Sequence, residues 1–161
     1  MEKIQNHFKK ILSFDHMKVL KLILFPSKSI QFITPKRFSW VISLYGPFDT
    51  FFADRALNVF QHRWYYGSIP KNICEKELML NSIPSFVVRE GSVEGTFTIS
   101  YKMKNKINNS RIIYKTSDQK FYVSETSYED LNDAIFYFSQ KFSLKPLIHM
   151  KNSKDYTLNS K

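Results

Sequence analysis

An arginine inside an apolar, β-branched run is the first residue whose type and position suggest chemistry. Arg89 ends the run Phe86-Val87-Val88, whose composition predicts a strand. A buried guanidinium without a partner costs several kcal/mol. A strand that keeps Arg89 therefore needs an anion beside it. That anion is either an internal carboxylate, with Glu75 as the candidate, or a group on a ligand.

The elements that must position Arg89 follow the order of a compact α+β module over residues 61–148. The pattern predicts a short strand at 64–67, a helix opened by Pro70, long strands at 85–90 and 96–101, a polar loop at 102–110, a strand pair at 111–116 and 120–124, and a final helix capped by Ser127. The expected fold is a central antiparallel β-sheet flanked by two α-helices.

Residues 1–60 are predicted to form a mostly helical extension. The apolar spacing over 2–24 indicates an amphipathic helix, 38–45 a strand, and Asp49 or Thr50 an N-cap for a helix that ends near residue 60. The last of these helices is too aromatic to remain in water, so we expect the extension to pack on the module. Residues 149–161 are polar and are expected to be a frayed tail.

Composition favours one folded domain with extensions in a reducing compartment. The chain has 161 residues, of which 43% are hydrophobic, and a single cysteine, Cys74, which excludes an internal disulfide. The net charge of +10 is concentrated in the first 40 residues. Residues 1–24 could make weak contact with a membrane surface, and binding to a membrane or nucleic-acid surface is the alternative function. An ordinary solvated face and a helix packed on the module are the preferred interpretations.

Catalysis finds little support in the chain. The four histidines, His7, His16, His62 and His149, lack ligand spacing, so we expect no metal and no cofactor. Ser92 is not the central residue of the segment 91–95, as a nucleophile elbow would require. Cys74 lies within a predicted helix and is interpreted as a packing residue. We expect a binding protein and not an enzyme.

The order of elements around Arg89 resembles the Src homology 2 (SH2) domain, the phosphotyrosine-binding module. The resemblance covers roughly residues 62–148. It rests on Trp64-Tyr65-Tyr66-Gly67-Ser68-Ile69-Pro70-Lys71, Phe86 to Glu90, Gly95 to Ser100, Ile113-Tyr114-Lys115, Phe121-Tyr122-Val123, and Tyr128 to Ser139.

The resemblance implies a role for each matching basic residue. Arg89 would grip the phosphate through two parallel, charge-assisted hydrogen bonds, and its depth on the strand would exclude the shorter phosphoserine. Lys71, at the start of the first helix, would contact the phosphate and the phosphotyrosine ring, and Lys115 would pack against one side of that ring. Ser92 would lie in the phosphate-binding turn, whose N–H groups can form an anion nest. Ordinary solvated lysines are the alternative interpretation of Lys71 and Lys115.

Two positions depart from the family pattern. Gly91 stands where the family usually has serine, and Ile113 where it usually has histidine, so one hydroxyl contact is missing unless Ser92 supplies it, and one wall is apolar. Thr98 completes the phosphotyrosine-binding set that the resemblance implies. The segments around the final helix are short, so we expect weak sequence selectivity beyond the phosphotyrosine, with Tyr114 as the peptide contact.

The expected function is non-catalytic capture of tyrosine-phosphorylated proteins or peptides by a stand-alone, adaptor-like signalling module. We expect a monomer that does not bind nucleic acid and that is located in the cytoplasm. The composition, rich in Lys, Asn, Ile and Phe, suggests a bacterial effector. In that case the host-pathogen interaction would take place in the host cell cytoplasm.

Overall fold

The fold is described from a computed structural model, which describes residues 13–25, 32–49, 51–93 and 95–147. Five helices lie in these ranges: α1 (Phe14–Leu24), α2 (Pro35–Tyr45), α3 (Phe52–Gln61), α4 (Lys71–Leu80) and α5 (Leu131–Lys141). None of these helices has the length and apolar character that crossing a membrane requires.

Six strands form one mixed sheet. They are β1 (Ser85–Glu90), β2 (Thr96–Met103), β3 (Lys106–Lys115), β4 (Lys120–Val123), β5 (Thr126–Tyr128) and β6 (Lys145–Pro146), in the spatial order β5-β4-β3-β2-β1-β6. All neighbours are antiparallel except β6, which pairs in parallel with β1. The predicted α+β fold, an antiparallel central sheet flanked by two helices with a helical extension, is confirmed.

Alternation along β1 divides the core into two clusters. Val87 packs with Cys74 and Leu78 of α4 on one face of the sheet. Phe86 and Val88 point to the other face, where they pack with α5 and with the extension helices α1, α2 and α3. The extension therefore shares the larger of the two clusters with the sheet, and Arg89 lies on the α4 face.

Residues 38–45, where the sequence suggested a strand, lie in helix α2, so that prediction is wrong. The Oγ1 of Thr34 accepts a hydrogen bond from the backbone N–H of Arg37 at 3.1 Å, and Pro35 occupies the first turn. The apolar side chains of this segment also follow the helical spacing of i, i+3, i+4 and i+7, at Phe38, Val41, Ile42 and Tyr45.

In the described part of the segment 2–24, where the sequence predicted one amphipathic helix, a helix begins at Phe14 and ends at Leu24. Ser13 is extended, with φ −67° and ψ 167°, and its side chain caps the helix by accepting from the N–H of His16 at 3.3 Å. Residues 1–12 lie outside the described residues. The apolar face of α1 contributes Val19 and Ile23, both fully buried, to the larger cluster.

Three further boundaries differ from the sequence predictions. The predicted loop 102–110 is instead a tight hairpin, in which Met103 of β2 pairs with Lys106 of β3. The final helix is capped by Asp130, whose Oδ1 accepts from the N–H of Asn132 at 2.6 Å, whereas Ser127 lies in β5. At the third helix the N-cap is Phe51, without a side-chain capping bond, so Asp49 is not the cap, although its Oδ1 accepts from the N–H of Phe51 at 2.9 Å. Thr50 lies outside the described residues.

The extension is joined to the sheet by a buried ion pair. Arg37 of α2 makes two bonds to Glu90 of β1, Nη1 to Oε2 at 3.0 Å and Nη2 to Oε1 at 3.2 Å. Their side chains are only 10% and 3% exposed. Burial raises the pKa of Glu90, although Arg37 opposes the rise. Because Glu90 follows Arg89 directly, the extension is anchored beside the candidate site.

Candidate functional site

Arg89 is a buried cation on the α4 face of the sheet. Its side chain is 6% exposed. Nε donates to Oγ of Ser100 at 3.2 Å, and Nη1 donates to the carbonyl oxygen of Glu90 at 3.2 Å. Among the described residues, no carboxylate lies within ion-pair distance of the guanidinium. The internal bridge to Glu75, which the sequence left open, does not form.

Glu75 instead belongs to a polar chain that links Arg89 to the first turn of α4. Ser100 accepts from Arg89 and donates to Oδ1 of Asn109 at 2.6 Å. The amide nitrogen of Asn109 donates to Oε1 of Glu75 at 2.9 Å, and that oxygen lies 3.8 Å from Nζ of Lys71. Lys71 thus lies on the same side of the sheet as Arg89, next to the Glu75 carboxylate, which makes no ion pair with Arg89.

Ser100 and Asn109 were missed by sequence reasoning, although one signal could have found Ser100. Ser100 lies two residues after Thr98, and side chains two apart on a strand share a face. Asn109 could not be found, because its segment was read as a loop. Cross-strand pairing with Ser100 in the β2–β3 hairpin brings it to the site.

Cys74 packs beneath this polar chain. It is fully buried in α4, close to the side chains of Arg89 and Ser100. Burial raises the pKa of the Cys74 thiol, and the neighbouring hydroxyl and guanidinium only partly oppose this rise. The thiol is therefore neutral at pH 7, which agrees with a packing role.

The turn after Arg89 has no room for a serine at position 91. The N–H of Gly91 donates to the carbonyl oxygen of Thr96 at 2.8 Å, and Oγ1 of Thr96 donates to the carbonyl oxygen of Val93 at 2.7 Å. A Cβ at position 91 would lie 2.1 Å from Oγ1 of Thr96 and 2.9 Å from its carbonyl oxygen. The Thr96 hydroxyl thus fills the space beside Gly91 and closes the turn. Ser92 is exposed in this turn, and residue 94 lies outside the described residues.

Replacing Gly91 with serine is expected to destabilise the protein. The overpacked side chain should lower the free energy of unfolding by about 1–3 kcal/mol, as measured by denaturant titration. The double variant Gly91→Ser/Thr96→Ala should recover part of this loss, because it removes the hydroxyl but leaves the backbone contact. Ser92→Ala, in the same turn, should unfold like the wild type. A Gly91→Ser protein as stable as the wild type would show that Thr96 can move aside.

Two residues of the predicted phosphotyrosine-binding set, Ile113 and Lys115, lie on strand β3. Arg89 pairs with Thr98 across β1 and β2, and Thr96, on the same face of β2 as Thr98, pairs with Ile113. Directly paired side chains point to one face, so Ile113 and Lys115 share the face of Arg89. Both are exposed. The predicted wall residues of β3 therefore lie at the same end of the sheet as the turn after Arg89.

Lys115 is held by an aromatic ring that the sequence reasoning did not assign to the site. Nζ of Lys115 lies 4.0 Å from the ring centroid of Tyr122, a cation–π contact. The hydroxyl of Tyr122 donates to Asp118, and this bond raises the pKa of Tyr122 and lowers that of Asp118. The ammonium is thereby positioned at the rim of the same sheet face.

Tyr114 is the one predicted site residue that lies on the opposite face. It pairs with Phe121, and the two ring centroids are 4.9 Å apart. Both rings line a cavity of about 360 Å³ between the extension, β3, β4 and the start of α5. Pro47 and Arg55 of the extension contribute to its wall. Tyr114 and Arg89 therefore face different sides of the sheet.

Two comparisons with known proteins report what this chain is similar to. The SH2 domain family model matches residues 64–138. The solution NMR structure of the SH2 domain of a Monosiga brevicollis CRK/CRKL homolog is 22% identical to this chain, covers 55% of this chain and 88% of its own, and has a TM-score of 0.49. SH2 domains bind phosphotyrosine peptides and are in general non-catalytic modules. The family match makes residues 64–138 of this chain similar to an SH2 domain.

Proposed function

We propose that this protein binds phosphotyrosine peptides, without catalysis, through a basic pocket centred on Arg89. The observation that carries the proposal is the burial of the Arg89 guanidinium with no carboxylate partner among the described residues. A phosphotyrosine brings about 1.5 to 2 negative charges and three acceptor oxygens, which would supply the missing anion. The surrounding residues in the proposed pocket are Lys71, Gly91, Ser92, Thr98, Ile113 and Lys115.

Depth is the basis for the proposed selection of phosphotyrosine over phosphoserine. Arg89 lies on a strand beneath α4 and is 6% exposed, whereas Lys71, Ile113 and Lys115 are largely at the surface. A phosphate on the long, flat tyrosine side chain can reach the guanidinium while the ring packs against the rim. The short serine side chain would hold its phosphate at the level of the lysines.

We further propose weak selectivity for the residues that follow the phosphotyrosine. Only residues 124–125 separate β4 from β5, and only residues 142–144 separate α5 from β6. Short connections leave little chain to build a deep second pocket at the edge of the sheet. Tyr114, on the face of β3 opposite Arg89, is the residue proposed to contact the peptide beyond the phosphotyrosine.

The test is a titration of wild-type protein with four peptides. A phosphotyrosine peptide and a second one with a shuffled sequence after the phosphotyrosine should bind with similar affinity, measured by calorimetry or fluorescence anisotropy. The unphosphorylated and phosphoserine versions should bind at least tenfold more weakly, since they lack the charge or the reach. Equal binding of the phosphorylated and unphosphorylated peptides would refute the proposal, and a strong effect of shuffling would refute weak selectivity.

The alternative of a membrane or nucleic-acid surface binder gains no support from the described part of the extension. Val19 and Ile23 of α1 are fully buried in the larger core cluster. An amphipathic helix binds lipid through its apolar face. In α1 that face is occupied by the protein itself.

A further inference from the structure

We propose that Arg111 is a second guanidinium of the pocket and binds the phosphotyrosine group directly. The inference deepens the proposed function and rests on it. Sequence reasoning gave Arg111 no role, and the motif residues Ile113-Tyr114-Lys115 begin two positions after it.

The position of Arg111 follows from the register of the sheet. Thr98 pairs with Arg89 on one side and with Arg111 on the other, so the three side chains form one row on one face. Neighbouring strands are about 4.8 Å apart, which places the Cα atoms of the two arginines about 10 Å from each other. Two side chains as long as arginine can meet over Thr98 at that separation.

Arg111 is also available to a ligand. Its side chain is exposed, and it makes no hydrogen bond or ion pair with any residue that the structure describes. Glu75, an acidic residue that reaches this face, is bound to Asn109 and lies beside Lys71. By contrast, the guanidinium groups of Arg37 and Arg55 are held by carbonyl and carboxylate oxygens.

The proposed pocket needs a further hydrogen-bond donor for the phosphate oxygens. Gly91 and Ile113 offer no side-chain hydrogen bond, and Nε and Nη1 of Arg89 already donate to Ser100 and to the backbone of Glu90. A phosphate has three acceptor oxygens, and Arg89 alone leaves some of them for other donors. A guanidinium at Arg111 can approach from the β3 side and supply a charge-assisted pair of bonds.

The test compares Arg111→Gln with Arg63→Gln. Arg63 is likewise exposed and precedes the segment around Tyr65 that bridges to Val88, away from the turn after Arg89, so the two variants lose the same charge. The probe is N-acetyl-phosphotyrosine amide, which has no flanking residues. Arg111→Gln should bind it about tenfold more weakly than the wild type does, whereas Arg63→Gln should bind it about as well.

Further measurements separate the possible failures. Arg111→Lys should bind more tightly than Arg111→Gln but less tightly than the wild type, because it keeps the charge and loses the fork. Equal affinities of Arg111→Gln and Arg63→Gln for the probe would overturn the inference, as would a loss confined to peptides with acidic neighbours of the phosphotyrosine. In both cases wild type would still prefer phosphorylated over unphosphorylated peptide. Loss of that preference in wild type would instead refute the proposed function.

Discussion

Replacing Arg89 with methionine is expected to weaken phosphotyrosine-peptide binding by about a hundredfold or more and to leave the free protein at least as stable as the wild type. The loss of binding follows from removal of a buried charged donor, whose bonds to an anion are among the strongest in proteins. The expected stability of the Arg89→Met variant follows from the absence of a carboxylate partner for Arg89 among the described residues. A buried cation without an ion pair carries an uncompensated desolvation penalty, which the apolar variant would remove.

Lys102 provides the matched control for this prediction. Lys102, on β2, is a second buried cation on the same face of the sheet as Arg89. Its Nζ donates to the carbonyl oxygens of Met79 at 2.9 Å and Asn81 at 2.5 Å. Lys102→Met would remove a cation from the C-terminal end of α4 and leave two of its carbonyl oxygens without this donor, so we expect lower stability and little change in peptide affinity. The two variants should therefore show opposite effects on unfolding and on binding.

Two measurements decide the outcome for Arg89. Thermal or denaturant unfolding of the free protein gives the stability, and titration with the phosphotyrosine peptide gives the affinity. Arg89→Lys should also bind poorly, because an ammonium cannot reproduce the planar fork. If Arg89→Met bound the peptide normally, the pocket would not be centred on Arg89. If it unfolded more readily than the wild type, the bonds of Arg89 to Ser100 and to the backbone of Glu90 would outweigh the cost of burying its charge.

Breaking the ion pair between the extension and the sheet is expected to have the largest effect on stability. Arg37→Met should lower the free energy of unfolding by about 3–5 kcal/mol, because it leaves Glu90 buried and without its partner. The double variant Arg37→Met/Glu90→Leu should recover part of this loss, since an apolar pair can replace a buried ion pair at little cost, whereas the carbonyl oxygen of Ile23 still lacks the donor that Arg37 provides. Lys36→Met, an exposed neighbour on α2, serves as the control and should unfold like the wild type.

The pH dependence of the Arg37→Met defect gives an independent check. Burial already raises the pKa of Glu90 above its unfolded value, and the loss of Arg37 removes the group that opposes the rise. A raised folded pKa means that the folded state holds its proton more tightly, so stability is greatest below the unfolded pKa and falls as the pH rises through the folded one. The defect should therefore be larger at pH 8 than at pH 4.5. A defect that did not change with pH would show that Glu90 is not the source.

The strands and helices of residues 61–147 could be predicted from sequence where a local signal was strong. The run before Arg89, the proline before α4 and the alternation in β2 each depend on neighbours along the chain, and each was confirmed in the structure. The segment at 38–45 was misread, although Thr34 and Pro35 carried a helix start signal, because its aromatic and β-branched residues also suit a strand. The polar residues of the β2–β3 hairpin were misread as a loop, since their cross-strand partners are not neighbours in sequence.

The sequence by itself determined that a strand carries a positive charge, at Arg89, which needs an anionic partner. Arg89 in a strand requires an anion because burying a guanidinium alone is costly, and this argument needs no coordinates. Only the tertiary structure decided that Glu75 does not provide that anion, because Asn109, folded across from Ser100, takes the carboxylate instead. The tertiary structure also placed Thr96 where a serine at position 91 would need space, brought Arg111 into the row of Arg89, and put Tyr114 on the other face. These relations depend on strand register and packing, which bring together residues that no local pattern connects.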